Sequence, residues 1–591
     1  MESTVEKVMQ DILARRIGKE DAMKLYGGFS DEDRNRLVQS LRSLTVTDGA
    51  ATQGQGGRKG GAAPRALKPI HEAHLDDVQK RFITELSARY ATRTPTSKRN
   101  ALEQQKHFVD QRKVAGLKRP LKSMQYQLTY ARAEGAYLFD VDGNRYVDIT
   151  GDNGVNFFGH QPEFMKDALR KRLDQGYPLV AYSEDLFESA RRFCELTGYE
   201  RMVYAQTGTE AVMWATRIAR AATGKKKIVI FDGSYHGLSD TVFAMHGGDH
   251  HAVSAGPGLL QEYADQIYMV DYGAADSLAF IEEHASEIAC VLIEPIQSRF
   301  PERRPVEFVR ELRRITLERN IVFIFDEMVT GFRANRRGAQ SFYKVVPDMS
   351  TYGKVPGGGM PTGIIAGQAK YLDYVDGGVY GFDDNSMPSL KRAVMAGTHT
   401  QNSLKVSAAV AVCKEMEKIC PPTKACDYDT CDCEIGVLNR RTKDLCDELN
   451  AYFLARNLPL SLETFSSWFR IAFHEDPYGI VRELLILLLR DNGVETSTSG
   501  NNFLNLSHVD SDYRAVVDAF KRSLEALVDN GFFVEKIEEE ADGGDVHVAA
   551  PLAPIPGAAP KAKAPEQAQP TSAELRDLVI AELRAVAAKS G

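Results

Sequence analysis

The sequence predicts an α/β protein that combines a large, mainly parallel sheet covered by helices with a smaller α+β domain toward the C-terminus. Three short apolar runs carry the first part of this prediction: "KIVIFDG" (227–233), "IACVLIEP" (288–295) and "IVFIFDE" (321–327). Helix-length amphipathic segments separate them, such as "EFVRELRRITLERN" (307–320). Near-continuous apolar strands that alternate with helices are typical of a parallel sheet covered on both faces.

Two further regions have patterns of their own. "AYLFDVDGNRYVDI" (136–149) alternates apolar residues around Asp142-Gly143, which predicts a β-hairpin. Residues 440–540 mix helical periodicity with strand-like runs such as "SSWFRIAF" (466–473). This mixture predicts the smaller α+β domain.

The length of 591 residues predicts more than one folded unit. Residues 48–66 are rich in Gly, Ala and Gln, and residues 550–570 are rich in Ala and Pro, so both stretches are interpreted as linkers. The predicted segments are, in chain order, a helical docking or linker segment (1–46), a flexible linker and lead-in (47–95), a central α/β region (96–540), a second linker (541–570) and a terminal helix (571–591). Within the central region, the large domain is expected at about 150–400 and the small domain at about 435–540 together with the N-terminal segment.

Composition excludes several classes of function. The net charge of −8 and the pI near 6.0 argue against general affinity for nucleic acid or anionic membranes. No apolar run approaches the ~20 residues that span a bilayer, and the N-terminus "MESTVEKVMQ" lacks the pattern of a secretory signal. Eight cysteines in a chain of this length do not form a disulfide framework, so we expect a reducing, cytoplasmic setting.

Polar residues follow the predicted strands at the points where the strands end. Ligands of open α/β sheets bind outside the carboxyl ends of the strands, so these side chains are the candidate site residues. They are Thr207, Gly208 and Thr209 at the start of a helix, Tyr235 and His236 after the first apolar run, Glu294 and Gln297 after the second, Asp326 at the end of the third, and Lys354 in "STYGKVPGGGMPTG" (350–363). Taken singly, each has an ordinary structural explanation as a helix cap, a packed ring or a turn-capping carboxylate.

The glycine run after Lys354 does not match the known phosphate loops. A P-loop has its lysine after the glycines and followed by Ser or Thr, whereas Lys354 precedes them and is followed by Val355. The spacing of "GGGMPTG" also differs from the dinucleotide-binding fingerprint. Two interpretations of this stretch remain: a structural turn made by the glycines, or a reactive Lys354 beside glycines that let the backbone come close to a ligand.

Taken together, the candidate residues have the chemistry that pyridoxal phosphate requires. That cofactor needs a phosphate cup, a ring clamp, a carboxylate for the pyridine nitrogen and a lysine that attaches to its aldehyde. A carboxylate holds the ring nitrogen protonated by opposite-charge stabilisation. The helix start with its free N–H groups and hydroxyls supplies an anion site of the kind a phosphate occupies.

Four stretches carry a resemblance to a known family: "QTGTEAVMWATRIARAATGKKKIVIFDGSYHG", "FDEMVTGFR", "GAQSFY" and "TYGKVPGGGMPTG". The region 96–535 resembles the fold-type I, class III aminotransferases. Within that class it is most similar to glutamate-1-semialdehyde aminomutase and to the aminotransferase domains embedded in polyketide and nonribosomal peptide megasynthases. "DGG" followed by "AGT" (376–398) and the entry segment "LFDVDGNRYVDI" favour the megasynthase branch.

The resemblance implies a role for each matching residue. Lys354 would hold the cofactor aldehyde, Asp326 would pair with the pyridine nitrogen, and Gln297 would bond the ring hydroxyl. The remaining implied contacts are Tyr235 on one ring face with His236 beside it, Met328 on the other face, Gly208 and Thr209 at the phosphate, and Thr398 in the phosphate cup of the neighbouring subunit. A homodimer with shared active sites follows from the last of these.

Some positions depart from the family or have no assigned role. Gln206 stands where relatives carry Asn or Ser, and "HTQNSL" after Thr398 lacks the usual proline. Arg333 is either a substrate-carboxylate ligand or part of a structural ion pair, and the structural role is preferred. Cys420, Cys426, Cys431 and Cys433 could bind zinc, but without a paired Cys-x2-Cys we interpret the segment as a surface loop and predict no metal site.

The resulting functional hypothesis is a pyridoxal-phosphate-dependent transaminase with a ping-pong mechanism. The amino donor would be glutamate, glutamine or alanine, and the acceptor a β-ketoacyl chain on an acyl carrier protein, next to other megasynthase domains. The terminal helix (571–591) could then begin a carrier-protein domain. The alternatives are an aminomutase of the glutamate-1-semialdehyde type, a transaminase of a released aldehyde, and a non-catalytic scaffold of the same fold.

Overall fold

A computed structural model of the chain describes residues 67–423, 426–476 and 478–535. The predictions for segments 1–46, 541–570 and 571–591, and for the linker residues 48–66, lie outside the described residues.

The described strands range from two to six residues in length. They are β1 Leu67–Pro69, β2 Tyr130–Glu134, β3 Tyr137–Asp140, β4 Arg145–Asp148, β5 Arg201–Ala205, β6 Lys227–Phe231, β7 Ala244–Gly248, β8 His251–Ser254, β9 Ile267–Val270, β10 Ile288–Ile293, β11 Val322–Asp326, β12 Met349–Tyr352, β13 Gly363–Gly367, β14 Leu460–Phe465, β15 Trp468–Phe473, β16 Val494–Glu495, β17 Asn501–Phe503 and β18 Phe533–Glu535.

The described helices alternate with these strands through the middle of the chain. They are α1 Asp77–Arg93, α2 Pro95–Gln104, α3 Gly151–Gly154, α4 Glu163–Gln175, α5 Glu184–Thr197, α6 Gly208–Thr223, α7 Gln261–Ala264, α8 Ala275–Glu283, α9 Val306–Glu318, α10 Gln340–Tyr343, α11 Ala369–Asp376, α12 Ser403–Ile419, α13 Glu434–Ala455, α14 Ile480–Asp491 and α15 Asp510–Asp529. None of the helices in the described part of the chain is long and apolar enough to cross a membrane.

The large sheet has the strand order β5-β13-β12-β11-β10-β6-β9-β8-β7. Its central strands β12, β11, β10, β6 and β9 are parallel neighbours, whereas β13 runs antiparallel to both β12 and β5. Every residue of β10 and β11 is buried, as the continuous apolar runs predicted. The predicted fold class is confirmed.

Three smaller sheets are formed by the strands that come before and after those of the large sheet in the sequence. The predicted hairpin forms as β3 and β4, which pair with β2 and β16 in one sheet, while β14, β15 and β17 form another. β1 pairs antiparallel with β18, so the N-terminal and C-terminal segments share a sheet.

The folded unit begins before residue 96, where the linker and lead-in were expected to end. Helix α1 starts with a capping box at Asp76 and buries Ile83, Leu86 and Tyr90. The Tyr90 hydroxyl accepts a hydrogen bond from Arg490 Nη1 at 3.1 Å. The prediction of a flexible lead-in is therefore wrong for 77–93, because these residues form a helix whose apolar face is buried and whose Tyr90 contacts Arg490, far along the chain.

Candidate active site

The candidate residues converge at one edge of the large sheet because the strands that precede them run in the same direction. β5 ends before Thr207, β6 before Tyr235, β10 before Glu294, and β12 before Lys354, while Asp326 is the last residue of β11. Parallel strands place their carboxyl ends at a common edge. Residues separated by up to 147 positions in the sequence thus share one site.

Lys354 stands at the end of β12, directly before a 3-10 turn over Val355–Gly357. Burial lowers the pKa of the Lys354 amine, while the neighbouring carboxylates of Glu294 and Asp326 act in the opposite direction. The amine makes no hydrogen bond or ion pair with another described side chain. A half-buried lysine with a lowered pKa holds more of the neutral amine that attacks a carbonyl.

The glycines after Lys354 have a structural reason. Gly358 and Gly359 have φ values of 57° and 87°, in the region that residues with a Cβ rarely adopt. A Cβ on Gly358 would also lie 2.4 Å from Met165 Cε. The turn therefore carries the chain tightly away from the lysine against α4.

Asp326 is fixed by a buried network. His236 Nδ1 lies 2.8 Å from Asp326 Oδ2, and both side chains are about 1% exposed. Asp326 Oδ1 accepts hydrogen bonds from Met328 N at 3.2 Å and from Thr351 Oγ1 at 3.3 Å. Sequence reasoning put His236 beside the ring clamp, whereas the structure shows it contacting the carboxylate and thereby setting the orientation of Asp326.

Tyr235, Glu294 and Gln297 form the next layer. Tyr235 N donates to Glu294 Oε2 at 2.9 Å, and its ring is 43% exposed, which leaves a face available for a flat ligand. Burial raises the pKa of the Glu294 carboxyl. The Gln297 amide nitrogen donates to Asp232 O at 2.7 Å and to Ser234 Oγ at 3.0 Å, so its oxygen points elsewhere as a free acceptor.

The start of α6 carries the hydroxyl groups that were predicted to bind an anion, and that role stays a prediction. Thr207 caps the helix by accepting from Glu210 N at 3.2 Å, and Leu238 N donates to Thr209 Oγ1 at 3.3 Å. A cleft of about 710 Å³ is lined by Thr207, Thr209 and Arg217, and also by the carboxylates Glu210 and Asp240. The helix N-terminus, the hydroxyls and the guanidinium favour an anion, whereas the two carboxylates oppose one.

The Met328 side chain packs between two glycines, Gly208 and Gly353. A Cβ on Gly208 would lie 2.7 Å from Met328 Sδ, and a Cβ on Gly353 would lie 2.8 Å from the same sulfur. A side chain at Gly353 or at Gly208 would displace the Met328 sulfur, so both positions require glycine. This places Met328 between the anion site and Lys354.

Thr398 lies apart from this cleft within a single chain. It lines a second cavity of about 400 Å³ together with residues 179–182. A Cβ on the adjacent Gly397 would lie 3.2 Å from Gln206 Nε2, so the loop touches the residue that departs from the family pattern. The expected role of Thr398 in a neighbouring subunit stays a prediction.

Arg333 is fully buried and belongs to the framework of the site. Its guanidinium donates to Ser467 Oγ at 2.9 Å, Leu504 O at 3.0 Å and Gly154 O at 3.0 Å. Burial lowers the pKa of the Arg333 guanidinium to about 9, and none of the ion pairs among the described residues includes it. The preferred structural role agrees with these contacts, but the expected ion pair is wrong, because carbonyl and hydroxyl oxygens take the place of a carboxylate.

Three residues of this framework were missed by sequence reasoning. Glu327 accepts from Ala339 N at 3.0 Å and from the Thr330 hydroxyl, and burial raises the pKa of its carboxyl to about 7. Lys405 donates to Ala205 O at 2.8 Å, and burial lowers the pKa of its amine to about 8. Thr351, which contacts Asp326, could have been found from its place three residues before Lys354, and Glu327 from its place directly after Asp326, but Lys405 carries no comparable signal.

The interpretation of the cysteine segment as a surface loop is also wrong. Cys420, Cys431 and Cys433 are 1%, 6% and 9% exposed, and their sulfur atoms meet that of Cys426. The sequence spacing did not show this because the path of the loop between α12 and α13, and not the spacing of the cysteines, brings the thiols together.

The residues present fit pyridoxal phosphate. His236 Nε2 and Gln297 Oε1 are buried polar atoms without a hydrogen-bond partner among the described residues, and a bound polar ring can satisfy such atoms. Lys354 offers an amine of lowered pKa, Asp326 a fixed carboxylate, and the start of α6 an anion site. The donor set thus covers the aldehyde, the ring and the phosphate of the cofactor.

Comparison with known proteins gives consistent matches over this region. The model of the family described as aminotransferase class-III matches residues 120–422. Glutamate-1-semialdehyde 2,1-aminomutase of Methanocaldococcus jannaschii is 31% identical over 373 residues, which cover 61% of this chain and 80% of that protein.

Solved structures agree with the fold. An omega-transaminase from Sphaerobacter thermophilus superposes with a TM-score of 0.64 at 24% identity, covering 74% of this chain and 99% of that one. A beta-phenylalanine aminotransferase from Variovorax paradoxus superposes with a TM-score of 0.62 at 25% identity, covering 76% of this chain and 98% of that one.

Proposed function

Because the chain belongs to the class III aminotransferases, and is thus a pyridoxal-phosphate-dependent transaminase, we propose that it passes an amino group from an amino acid to the β-carbonyl of an acyl chain held on a carrier protein. The observation that carries the chemistry is the Lys354 amine, with its lowered pKa, beside the Asp326–His236 pair. The reaction would be ping-pong, with the keto product of the donor leaving before the acceptor binds.

Each residue would hold a defined part of the cofactor. Thr207, Gly208 and Thr209 would bind its phosphate, Tyr235 would stack on its ring, and Gln297 Oε1 would accept from its hydroxyl. When bound, the cofactor supplies an aldehyde that takes up the amino group and a ring that accepts the electron pair of the substrate carbon. Asp326 makes that ring a better acceptor because its carboxylate keeps the pyridine nitrogen protonated.

Lys354 would also move the proton. Its Nζ would take the proton from the carbon that bears the donor's amino group, and return one to the former carbonyl carbon of the acceptor. The lowered pKa suits this exchange, because a base works best when its pKa lies near the operating pH. His236 acts on the reaction only through Asp326, by holding the carboxylate in place.

Two findings support a β-ketoacyl acceptor. The motifs resemble the aminotransferase domains of megasynthases, whose acyl chains carry a carbonyl two carbons from the thioester. One structural relative is a beta-phenylalanine aminotransferase, and its substrate bears the amine on the same β-carbon. The donor would be glutamate, glutamine or alanine.

A homodimer with shared sites is part of the proposal. Large apolar residues are exposed at the Thr398 cavity and in the segment that precedes Thr398 in the sequence: Tyr182 at 68%, Val379 at 92%, Phe382 at 90% and Leu390 at 86%. An apolar surface of this kind marks a protein interface. A second subunit covering it would bring its own Thr398 loop to the neighbouring site.

The test is the mass of a β-ketoacyl carrier protein after incubation with the holoenzyme and each donor. Replacement of the carbonyl oxygen by an amine, with one of the three donors and not with Lys354→Ala, is the expected result. An unchanged carrier-bound chain together with amination of a free aldehyde would refute the carrier-bound acceptor and favour the released-aldehyde alternative.

The second candidate is an aminomutase, which the 31% identity to a glutamate-1-semialdehyde aminomutase favours. Such an enzyme moves nitrogen within one molecule and therefore needs no separate donor. Conversion of glutamate-1-semialdehyde without an added amino acid would establish it. A complete absence of amino transfer by the cofactor-loaded protein would leave only the scaffold.

A further inference from the structure

We propose that Cys420, Cys426, Cys431 and Cys433 bind a structural zinc ion, at a site separate from the transaminase centre. Cys420 directly follows α12 and Cys433 is the N-cap of α13, so the site lies where the chain passes from the large domain into the small one. Four of the eight cysteines in the chain fall within these 14 positions.

The geometry suits one tetrahedral ion. All four sulfur atoms lie within 4.8 Å of one another. The Sγ–Sγ distances are 3.2 Å for Cys420–Cys426, 2.8 Å for Cys426–Cys431, 2.6 Å for Cys431–Cys433 and 4.0 Å for Cys426–Cys433. A Zn–S bond of about 2.3 Å in a tetrahedral site places the sulfurs about 3.8 Å apart, so the three shorter pairs would separate by about 0.6 to 1.2 Å around the ion.

Other uses of four cysteines fit less well. All four distances are longer than the S–S bond of about 2.05 Å, and the thiols form one group rather than two separate pairs. An iron–sulfur cluster would hold its cysteines farther apart, because iron and sulfide ions stand between them. Four thiolates and no free position are the donor set of a structural zinc site.

The surroundings supply the contacts that such a site needs. Asn335 Nδ2 donates to Cys426 Sγ at 2.9 Å, and Asn335 Oδ1 accepts from Arg337 N at 3.1 Å and from Ser341 Oγ at 2.9 Å. These two donors fix the amide orientation, so its NH2 group must face the sulfur. Hydrogen bonds of this kind orient metal ligands and offset the charge of thiolates.

Two further features favour thiolates here. Cys433 occupies the N-cap position of α13, where the helix dipole stabilises negative charge. Arg440 Nη1 donates to Cys431 O at 2.7 Å and brings positive charge to the cluster. A Cβ on Gly436 would lie 2.1 Å from the same carbonyl, so only glycine permits the first turn of α13 to pack there.

The position suggests what the ion does. The loop after α12 contacts two other segments of the chain. Asp427 of the loop pairs with Lys344, which follows α10, and the Tyr428 ring stacks on Phe465 of β14 at 4.8 Å. A zinc ion would join the end of α12 to the start of α13 and, through Asn335, to the segment that contains Arg333. It would stabilise the junction of the two domains without touching the reacting atoms.

The first experiment is metal analysis of the full-length holoenzyme, produced with Zn²⁺ in the medium and purified without chelator. We expect one zinc per chain in the wild type, its loss in Cys431→Ser and Cys433→Ser, and its retention in Cys194→Ser, which removes a thiol outside the cluster. A wild type without zinc, a wild type that carries iron and sulfide instead, or an intact mass that shows two disulfides would each overturn the proposal.

A second variant keeps all four thiols and covers the case in which the serine variants do not fold. Asn335→Leu removes the hydrogen bond to Cys426, and we expect it to lower the zinc affinity about 10- to 100-fold, measured by competition with a chelator. An unchanged affinity would refute the assigned contact. Cofactor content is measured on the same samples, so the outcome is independent of the transaminase proposal.

Discussion

The pKa of the Glu327 carboxyl provides the sharpest test of the framework around the site. Glu327 is fully buried, and burial raises the pKa of its carboxyl from 4.5 to about 7. A neutral amide of nearly the same shape replaces it in Glu327→Gln. The glutamine oxygen can still accept from Ala339 N, and its nitrogen can donate to the Thr330 hydroxyl.

The sign and the size of the effect follow from linkage. Between pH 4.5 and pH 7 the folded protein holds the Glu327 proton and the unfolded chain releases it, so wild-type stability falls as pH rises through this window. A difference of about 2.5 between the two pKa values corresponds to about 3 kcal/mol, since one pKa unit is worth about 1.4 kcal/mol. About 2.5 kcal/mol of this falls between pH 5 and pH 8.

The assay is urea unfolding of wild type and Glu327→Gln from pH 5 to pH 8, at one protein concentration. The two tryptophans, Trp214 and Trp468, are both buried, so their fluorescence reports unfolding. The free energy of unfolding of the variant, relative to wild type, should rise by about 2.5 kcal/mol over this range. Glu307→Gln, at a side chain that is 84% exposed, is the control and should change stability by less than about 0.5 kcal/mol at every pH. Parallel pH profiles for wild type and Glu327→Gln would refute the reasoning.

Three further predictions concern the site itself. Lys354→Ala should lower kcat by at least the ~10²- to 10⁴-fold that a positioned base contributes, and should abolish the cofactor adduct that borohydride traps in the wild type, as read by intact mass. His236→Phe should lower kcat while leaving the borohydride adduct intact, because the histidine positions Asp326 and does not hold the aldehyde; an unchanged kcat would contradict that role. Arg333→Met should lower the urea midpoint of unfolding, because it removes hydrogen bonds to a charged group that are each worth about 1.5–3 kcal/mol; the loss is partly offset because the variant no longer buries a charge. The KM for a carboxylate donor should stay unchanged. A selective rise in that KM would show that the arginine binds substrate.

Much of the site could be predicted because its signals are local. The strands β6, β10 and β11 are continuous apolar runs, and their direction alone brings the residues that follow them to one edge of the sheet. Lys354 and Asp326 were therefore assigned as a pair although 28 positions separate them. The glycines around Lys354 were likewise visible in the sequence as a place of close backbone approach.

Contacts between distant segments could not be predicted in this way. His236 reaches Asp326 across 90 positions and Arg333 reaches Leu504 across 171, and no periodicity records either contact. Glu327 follows Asp326 directly and is also buried, yet its carboxylate accepts from Ala339 N and the Thr330 hydroxyl while that of Asp326 contacts His236. The sequence around α1 predicts a lead-in and not a packed helix, because Arg490, which contacts Tyr90 of α1, lies 400 positions away.

By itself, the sequence determined the fold class and the chemical kind of the active site, because hydrophobic periodicity and strand-end polarity depend on neighbouring residues alone. Tertiary structure decided which groups support that site and which cysteines meet. The physical reason is that burial, the pKa of a carboxyl and the meeting of four sulfur atoms are set by what packs against a residue, and the packing partners come from anywhere in the chain.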